Sequence, residues 1–216
     1  MLSFLTQPTY PKAAIGFEKE SVTALSLHRE GRGMFGIKQA AAVELPAGLL
    51  VPSFLERNIS NRNELAVLLE EAVTSAGLLG QKSWSVSLPS NTARSAILTL
   101  ESGSSGKDES EEILDWKAEQ TFGAPAAEMR ITRHKMPADR EGRSRYFASA
   151  VKLSVIDEYE TIFERFGWKA GLVLPRALSE SRWISADSER ADSMLISAQS
   201  DGFSAILMRS GAPAVI

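Results

Sequence analysis

Two alternating segments stand only two residues apart near the start of the chain, and that spacing governs how the rest can fold. In residues 13–18 (Ala-Ala-Ile-Gly-Phe-Glu) and 21–28 (Ser-Val-Thr-Ala-Leu-Ser-Leu-His), the second run sets Val22, Ala24, Ser26 and His28 against Thr23, Leu25 and Leu27. A period of two is that of a strand. Lys19-Glu20 is all that joins the two runs, a connection of hairpin length. A third strand is predicted from Gly33 to Leu45, after the turn Glu30-Gly31-Arg32-Gly33. Three consecutive antiparallel strands therefore open the chain.

A loop rich in Pro and Gly follows from Pro46 to about Ser60, and then a helix. Leu65, Leu68, Leu69, Ala72 and Ala76 recur at helical spacing, Asn61 with Glu64 resembles a capping box, and Gly77 closes the segment. Trp84, Val86 and Leu88 alternate with serines in a strand that stops at Pro89. The pattern then restarts. A strand over Ala96–Leu100 leads through the polar connection 102–106 to a helix from about Asp108 to Phe122. Ile113, Leu114, Ala118, Thr121 and Phe122 are read as its inner face. Acidic residues crowd its first turns, where the helix dipole favours negative charge. Met129–Met136 and Arg145–Leu153 read as a hairpin around Pro137–Ser144.

Ser154 with Asp157 reads as the cap of a further helix, whose face carries Val155, Tyr159, Ile162 and Phe166 and which ends at Gly167. Strand 169–174 precedes Pro175, a favourable first residue for a helix to about Ala186. Met194–Ala198 and Phe203–Met208 are two strands around the turn Gln199-Ser200-Asp201-Gly202, with a third strand beginning near Ile216. The fold class is α/β with a mixed sheet. The expected domains are residues 1–93 with 154–188, an inserted strand–helix–strand–strand unit over 94–153, and opening strands of an incomplete second lobe over 189–216.

Composition narrows the chemistry. With 216 residues, 44% of them hydrophobic and 24% charged, the chain can bury a core of ordinary size. It has no cysteine, which excludes disulfides, thiolate metal sites and cysteine nucleophiles. A net charge of −3 provides no global attraction to nucleic acid or anionic lipid. The apolar runs are too short to cross a bilayer, and the first eight residues lack the pattern of a signal peptide. A soluble, non-exported chain is expected.

The order of these elements resembles the PilM family, the actin-like proteins of type IV pilus assembly, and more distantly FtsA and the cytosolic part of GspL. Ala14-Ile15-Gly16-Phe17-Glu18 stands where that family has a strand and a phosphate loop. The likeness continues through Leu45-Pro46-Ala47-Gly48, the helix at 63–78, Trp84–Pro89, Trp168–Pro175 with Ala177-Leu178, and Met194–Val215. The resemblance implies an actin-like (ribonuclease H-like) first lobe with an inserted SHS2, or 1C, subdomain that mediates protein contacts, and a second lobe cut short. It further implies a cytoplasmic scaffold, peripheral to the inner membrane, that binds the tail of a PilN-like inner-membrane protein and links pilus motor ATPases to the envelope. Membrane contact would run only through partners, and nucleic acid is not among them. The alternative is an active ATPase of the actin superfamily holding Mg-ATP between two lobes.

The residues weigh against catalysis. Glu18-Lys19-Glu20-Ser21 lacks the glycine that lets backbone approach phosphate, is shorter than the family pattern, and puts two carboxylates around one lysine. Like charge there opposes an anion. Gln199-Ser200-Asp201-Gly202-Phe203-Ser204 keeps small residues and one Asp. Both segments are read either as decayed phosphate loops, using Glu18, Lys19, Ser21, Asp201, Gly202 and Ser204, or as polar hairpin turns. No firm cofactor, catalytic residue or metal ligand follows, and ATP with Mg²⁺ remains an expectation for the full-length protein.

Other features have plain readings beside the functional ones. The segment 128–145 holds six basic and three acidic residues. It reads first as a hairpin beside the acidic helix and second as phosphate contacts. His28 and His134 have no companion ligands. Trp84, Trp168 and Trp183 are expected in cores, whereas Trp116 is read first as core and second as an anchor for a partner. Glu112, Trp116 and Phe122 are the candidate partner-binding residues. No Gly-x-Ser-x-Gly elbow or Walker loop occurs.

Overall fold

The structure, a computed structural model, describes residues 10–31, 35–101, 107–176, 180, 192–199, 202–209 and 212–215. These residues divide into two compact units. The first draws on Met1–Val51, Ile59–Pro89 and Glu158–Pro175, the second on Pro52–Asn58, Ser90–Asp157 and Arg176–Ile216.

In the first unit the two-residue turn does what its length predicts. Strands β1 (Ala13–Glu18) and β2 (Ser21–Arg29) pair antiparallel, with Glu18 opposite Ser21, and β3 (Phe35–Glu44) pairs antiparallel with β2. β4 (Ser83–Leu88) and β8 (Lys169–Pro175) run parallel to β1, giving the order β3-β2-β1-β4-β8. Alternation sends Ile15, Phe17, Val22, Ala24, Trp84 and Val86 to one buried face. Burying side chains as large as Phe17 and Trp84 contributes about 2–3 kcal/mol each. Phe17 meets Tyr159 edge to face at 5.1 Å between ring centroids, and Trp84 lies 5.3 Å from Trp168.

Helix α1 (Arg62–Ser75) packs Leu65, Ala66, Leu69, Ala72 and Val73 inward. The Asn61 Oδ1 accepts from the N–H groups of Asn63 (3.1 Å) and Glu64 (3.2 Å), while its Nδ2 donates to the Glu64 carboxylate at 3.3 Å. Orphan donors of the first turn are thereby satisfied. At the other end Gly77 takes φ +69°, and Leu78 N–H closes back on Val73 C=O at 2.9 Å. A side chain at that φ would be strained, so glycine ends the helix.

In the second unit β5 (Ala93–Leu100), β7 (Ser144–Lys152) and β6 (Met129–Met136) form a separate antiparallel sheet in the order β5-β7-β6. Helix α2 (Lys107–Phe122) packs Leu114, Ala118 and Phe122 onto its Leu98, Leu100, Ala148 and Ala150. Thr121, read as inward, is exposed. The buried residues recur every four positions, and Thr121 sits about 100° around the helix from Phe122. Helix α3 (Leu153–Arg165) begins at the residue after β7. Ser154 is therefore inside the helix instead of capping it, because no loop separates strand from helix.

β9 (Ser193–Gln199), β10 (Gly202–Arg209) and β11 (Ala212–Val215) form a third antiparallel sheet in the order β11-β10-β9. The sequence anticipated its first two strands and the start of its third. The helix expected after Pro175 lies outside the described residues except for Arg176 and Glu180. Their side chains pair with Nε to Oε1 at 2.7 Å.

Candidate functional site

The β1–β2 hairpin is the first of the two expected phosphate loops. Its turn is Lys19-Glu20 and nothing more, and Leu45 N–H donates to Glu20 C=O at 2.8 Å, tying the turn to the end of β3. Glu18, Lys19 and Ser21 are half-buried and Glu20 is exposed. Two carboxylates thus flank the one cation, no glycine is present, and a turn this short offers little backbone to wrap a phosphate. These residues do not fit a triphosphate.

The β9–β10 hairpin is the second. Gln199 pairs with Gly202 at its base, and Gly202 has φ +150°, a conformation that L side chains rarely adopt. Ser204 is half-buried, while Ser200 and Asp201 lie outside the described residues. Gln199 Nε2 donates to Ser90 Oγ at 2.9 Å, so this side chain anchors the hairpin within the second unit. Among the described residues, no three His, Asp or Glu side chains gather into a group able to hold a metal ion.

The candidate partner-binding residues separate from one another. Glu112 and Trp116 stand one helical turn apart on α2, both exposed, with Trp116 58% accessible. Core packing of Trp116 is thereby overturned. Phe122 is 1% exposed and lies in the cluster between α2 and its sheet. Its side chain cannot meet a partner, and the assignment is corrected to a core role. The reason is the same four-residue recurrence that turns Leu114 and Ala118 inward.

The end of α2 is held by long-range contacts. Arg94 donates from its guanidinium to Phe122 C=O and lies 4.7 Å from the centroid of the Phe54 ring. A cation at a helix C-terminus answers both the orphan carbonyls and the dipole. Gly123 N–H bonds Glu119 C=O at 2.8 Å, and the Glu119 carboxylate accepts from Ala126 N–H at 2.8 Å. Trp116 is thus presented on a helix anchored along its inner face and at its end.

The basic hairpin sits against acid, as its plain reading had it. Arg133 pairs with Glu111 at 3.0 Å and also with Asp115, both on α2. Arg143 pairs with Asp139 (2.6 Å) and Glu141 (3.0 Å), and Lys152 with Glu128 (3.4 Å). Separately, the first unit has a hollow of about 520 Å³ beside Trp168, bordered by Glu160, Glu164 and Lys169. Sequence reading missed it, since only the packing of α3 against β8 creates it.

No protein-family model matches the chain, and no curated protein matches it. Among solved structures it is similar to a chain of the PilM–PilN type IV pilus biogenesis complex, with a TM-score of 0.72 and 16% identity over 96% of this chain and 61% of that one. It is also similar to the cytoplasmic domain of EpsL, an inner-membrane component of the type II secretion system of Vibrio cholerae (TM-score 0.55, 9% identity, 94% of this chain and 70% of that one). A protein of Bacteroides thetaiotaomicron with an actin-like ATPase fold and unknown function gives a TM-score of 0.52 at 10% identity, over 100% of this chain and 71% of that one. The chain has an actin-like fold, and it spans 61% of the length of the chain from the pilus complex. No described helix is long and apolar enough to cross a membrane.

Proposed function

We propose that this chain is a non-catalytic, actin-like adaptor of type IV pilus assembly that binds the cytoplasmic tail of a PilN-like inner-membrane protein. The observation that carries the reading is Trp116, a large aromatic left open on a helix anchored through Leu114, Ala118 and Phe122 and at its C-terminal end. Likeness in fold to a chain of the PilM–PilN complex supports a partner of this class. An exposed Trp on a preorganised helix loses little entropy on binding and covers much apolar area, which is the physical profile of an interface anchor. Glu112, one turn away, adds a carboxylate that selects a basic or hydrogen-bonding group in the tail. In this reading the protein sits on the cytoplasmic side of the inner membrane and reaches the bilayer only through its partner. The misfit of Glu18-Lys19-Glu20-Ser21 to phosphate supports assembly over hydrolysis.

The test is isothermal titration of the full-length protein with a synthetic peptide of the cytoplasmic tail of the PilN-like protein from the same organism. Saturable binding is expected, with Trp116→Ala abolishing it at unchanged melting temperature. No heat from the unmodified protein would reject the adaptor reading. A thermal shift with Mg-ATP, lost in Asp201→Ala, would return the chain to the ATPases.

A further inference from the structure

Among the described residues, strand β3 is the outer strand of its sheet and pairs with β2 alone. Two hydrogen bonds set which of its backbone groups face outward. Leu27 N–H donates to Lys12 C=O at 3.0 Å, so Leu27 and the alternate residues before it, Leu25 and Thr23, turn toward β1. Leu45 N–H donates to Glu20 C=O at 2.8 Å, so Glu20, Val22 and Ala24 turn toward β3. A residue in an antiparallel strand turns its N–H and C=O to the same side. With Val22 opposite Val43 and Ala24 opposite Ala41, the outward residues of β3 are Ala40, Ala42 and Glu44. No described residue pairs with their donors and acceptors, which form a ladder edge, and all three residues are exposed. At Ala40 and Ala42 only methyl groups stand beside it, so another backbone can approach closely.

A second observation lies at one end of that edge. The register passes from Ser26–Gln39 to Leu27–Ile37, which leaves Lys38 as an extra residue. A β-bulge of this kind re-aims a side chain. Lys38 here lines an open groove of about 530 Å³ together with Lys12, Tyr10, Gln81 and Ser83. No carboxylate lines that groove, and neither lysine has an ion-pair partner among the described residues. In a chain of net charge −3, two uncompensated cations facing one groove mark a local inversion of sign.

We infer that the β3 edge and the Lys12–Lys38 groove form one docking site for an acidic, extended peptide segment of a partner protein, which adds to the sheet as an outer strand. The ladder edge selects extended backbone, and the lysines select its carboxylates. A lipid headgroup would satisfy the lysines but leave the edge unused. This site lies wholly in the first unit and does not depend on the reading of Trp116.

The experiment measures fluorescence anisotropy of a labelled peptide of alternating Glu and Val titrated with the full-length protein. Binding is expected to weaken at least about tenfold when salt rises well beyond the physiological range, and by a similar factor in Lys12→Glu/Lys38→Glu. Amide exchange at Ala40 and Ala42 should slow when peptide is bound. Ala42→Pro, which removes an outward N–H, should weaken binding with all lysines intact. Circular dichroism confirms that each variant is folded. Four results would overturn the inference: no peptide binding, equal binding by the double lysine variant, unchanged exchange at Ala40 and Ala42, or capture of phosphatidylglycerol vesicles in place of peptide.

Discussion

The Glu158 carboxylate accepts a hydrogen bond from Ile59 N–H at 2.9 Å, joining positions 99 residues apart in the first unit. Glu158 is 2% exposed and Ile59 6%, so water cannot replace the bond. Ile59 also bridges Leu50, and Ser60 N–H donates to Leu49 C=O at 3.0 Å. One α3 side chain therefore fixes the loop that leads into α1. Glu158→Ala leaves the Ile59 N–H buried and unsatisfied, at a cost of about 2 kcal/mol. The melting temperature should fall by roughly 4–8 °C. Glu158→Gln keeps a carbonyl acceptor and should lose less. Equal melting of the Ala variant and the parent would contradict the role.

Beside it, the Tyr159 hydroxyl is buried with no hydrogen-bond partner among the described residues. Burial, and then the neighbouring Glu158 carboxylate, raise its phenol above the ordinary range. An unsatisfied buried hydroxyl is a liability, so Tyr159→Phe should be neutral or stabilising by up to about 1 kcal/mol at pH 7. The pH dependence has a definite sign. The unfolded phenol ionises near pH 10 while the folded one stays protonated. Stability from this group is therefore complete below about pH 10 and declines as pH rises beyond it. Thermal melts on both sides of that pH should show a decline that is shallower in Tyr159→Phe, and parallel curves would count against it.

Trp116 and Phe122 should behave oppositely. Phe122→Ala empties the interior between α2 and its sheet and should cost about 3–5 kcal/mol in urea unfolding. Trp116→Ala should change stability by no more than about 0.5 kcal/mol. On the proposed adaptor function it should instead remove at least about 2 kcal/mol of affinity for the PilN-like tail. A Trp116→Ala protein that melts early would place that indole in the core after all.

The cap of α1 permits a graded series. Asn61→Ala removes the acceptor for Asn63 and Glu64 N–H and should destabilise by about 1 kcal/mol. Asn61→Asp should retain most of the stability, and Asn61→Gly should lose only a few tenths of a kcal/mol. Denaturant midpoints with unchanged slope would report this ordering. A variant series without it would mean that α1 is held by packing alone.

Local rules made most strands and the first helix legible. The interval Lys19-Glu20 sets both the hairpin and its register, and Asn61, Glu64 and Gly77 mark the limits of α1 by hydrogen bonding and backbone strain. Tertiary packing settled what those rules could not. The outward position of Thr121 and the exposure of Trp116 are not legible because charges on both sides of α2 blur its apolar face. Ser154 was read as a cap because patterning does not reveal that β7 runs into α3 without a loop. The outer position of β3 and the extra residue at Lys38 depend on strand order and pairing, which alternation along one segment does not carry. The charge pattern of Glu18–Ser21 and its lack of glycine are properties of the sequence itself and need no neighbours to be read.

The distribution of indoles makes this chain its own optical reporter. Trp84 and Trp168 are shielded and 5.3 Å apart, so they should emit toward the blue and resist iodide. Trp116 should emit toward the red and be quenched freely. In a Trp183→Phe background, the two edges of one emission band would then be read independently. The blue edge would follow melting of the five-stranded sheet, and the red edge would follow changes at the exposed face of α2.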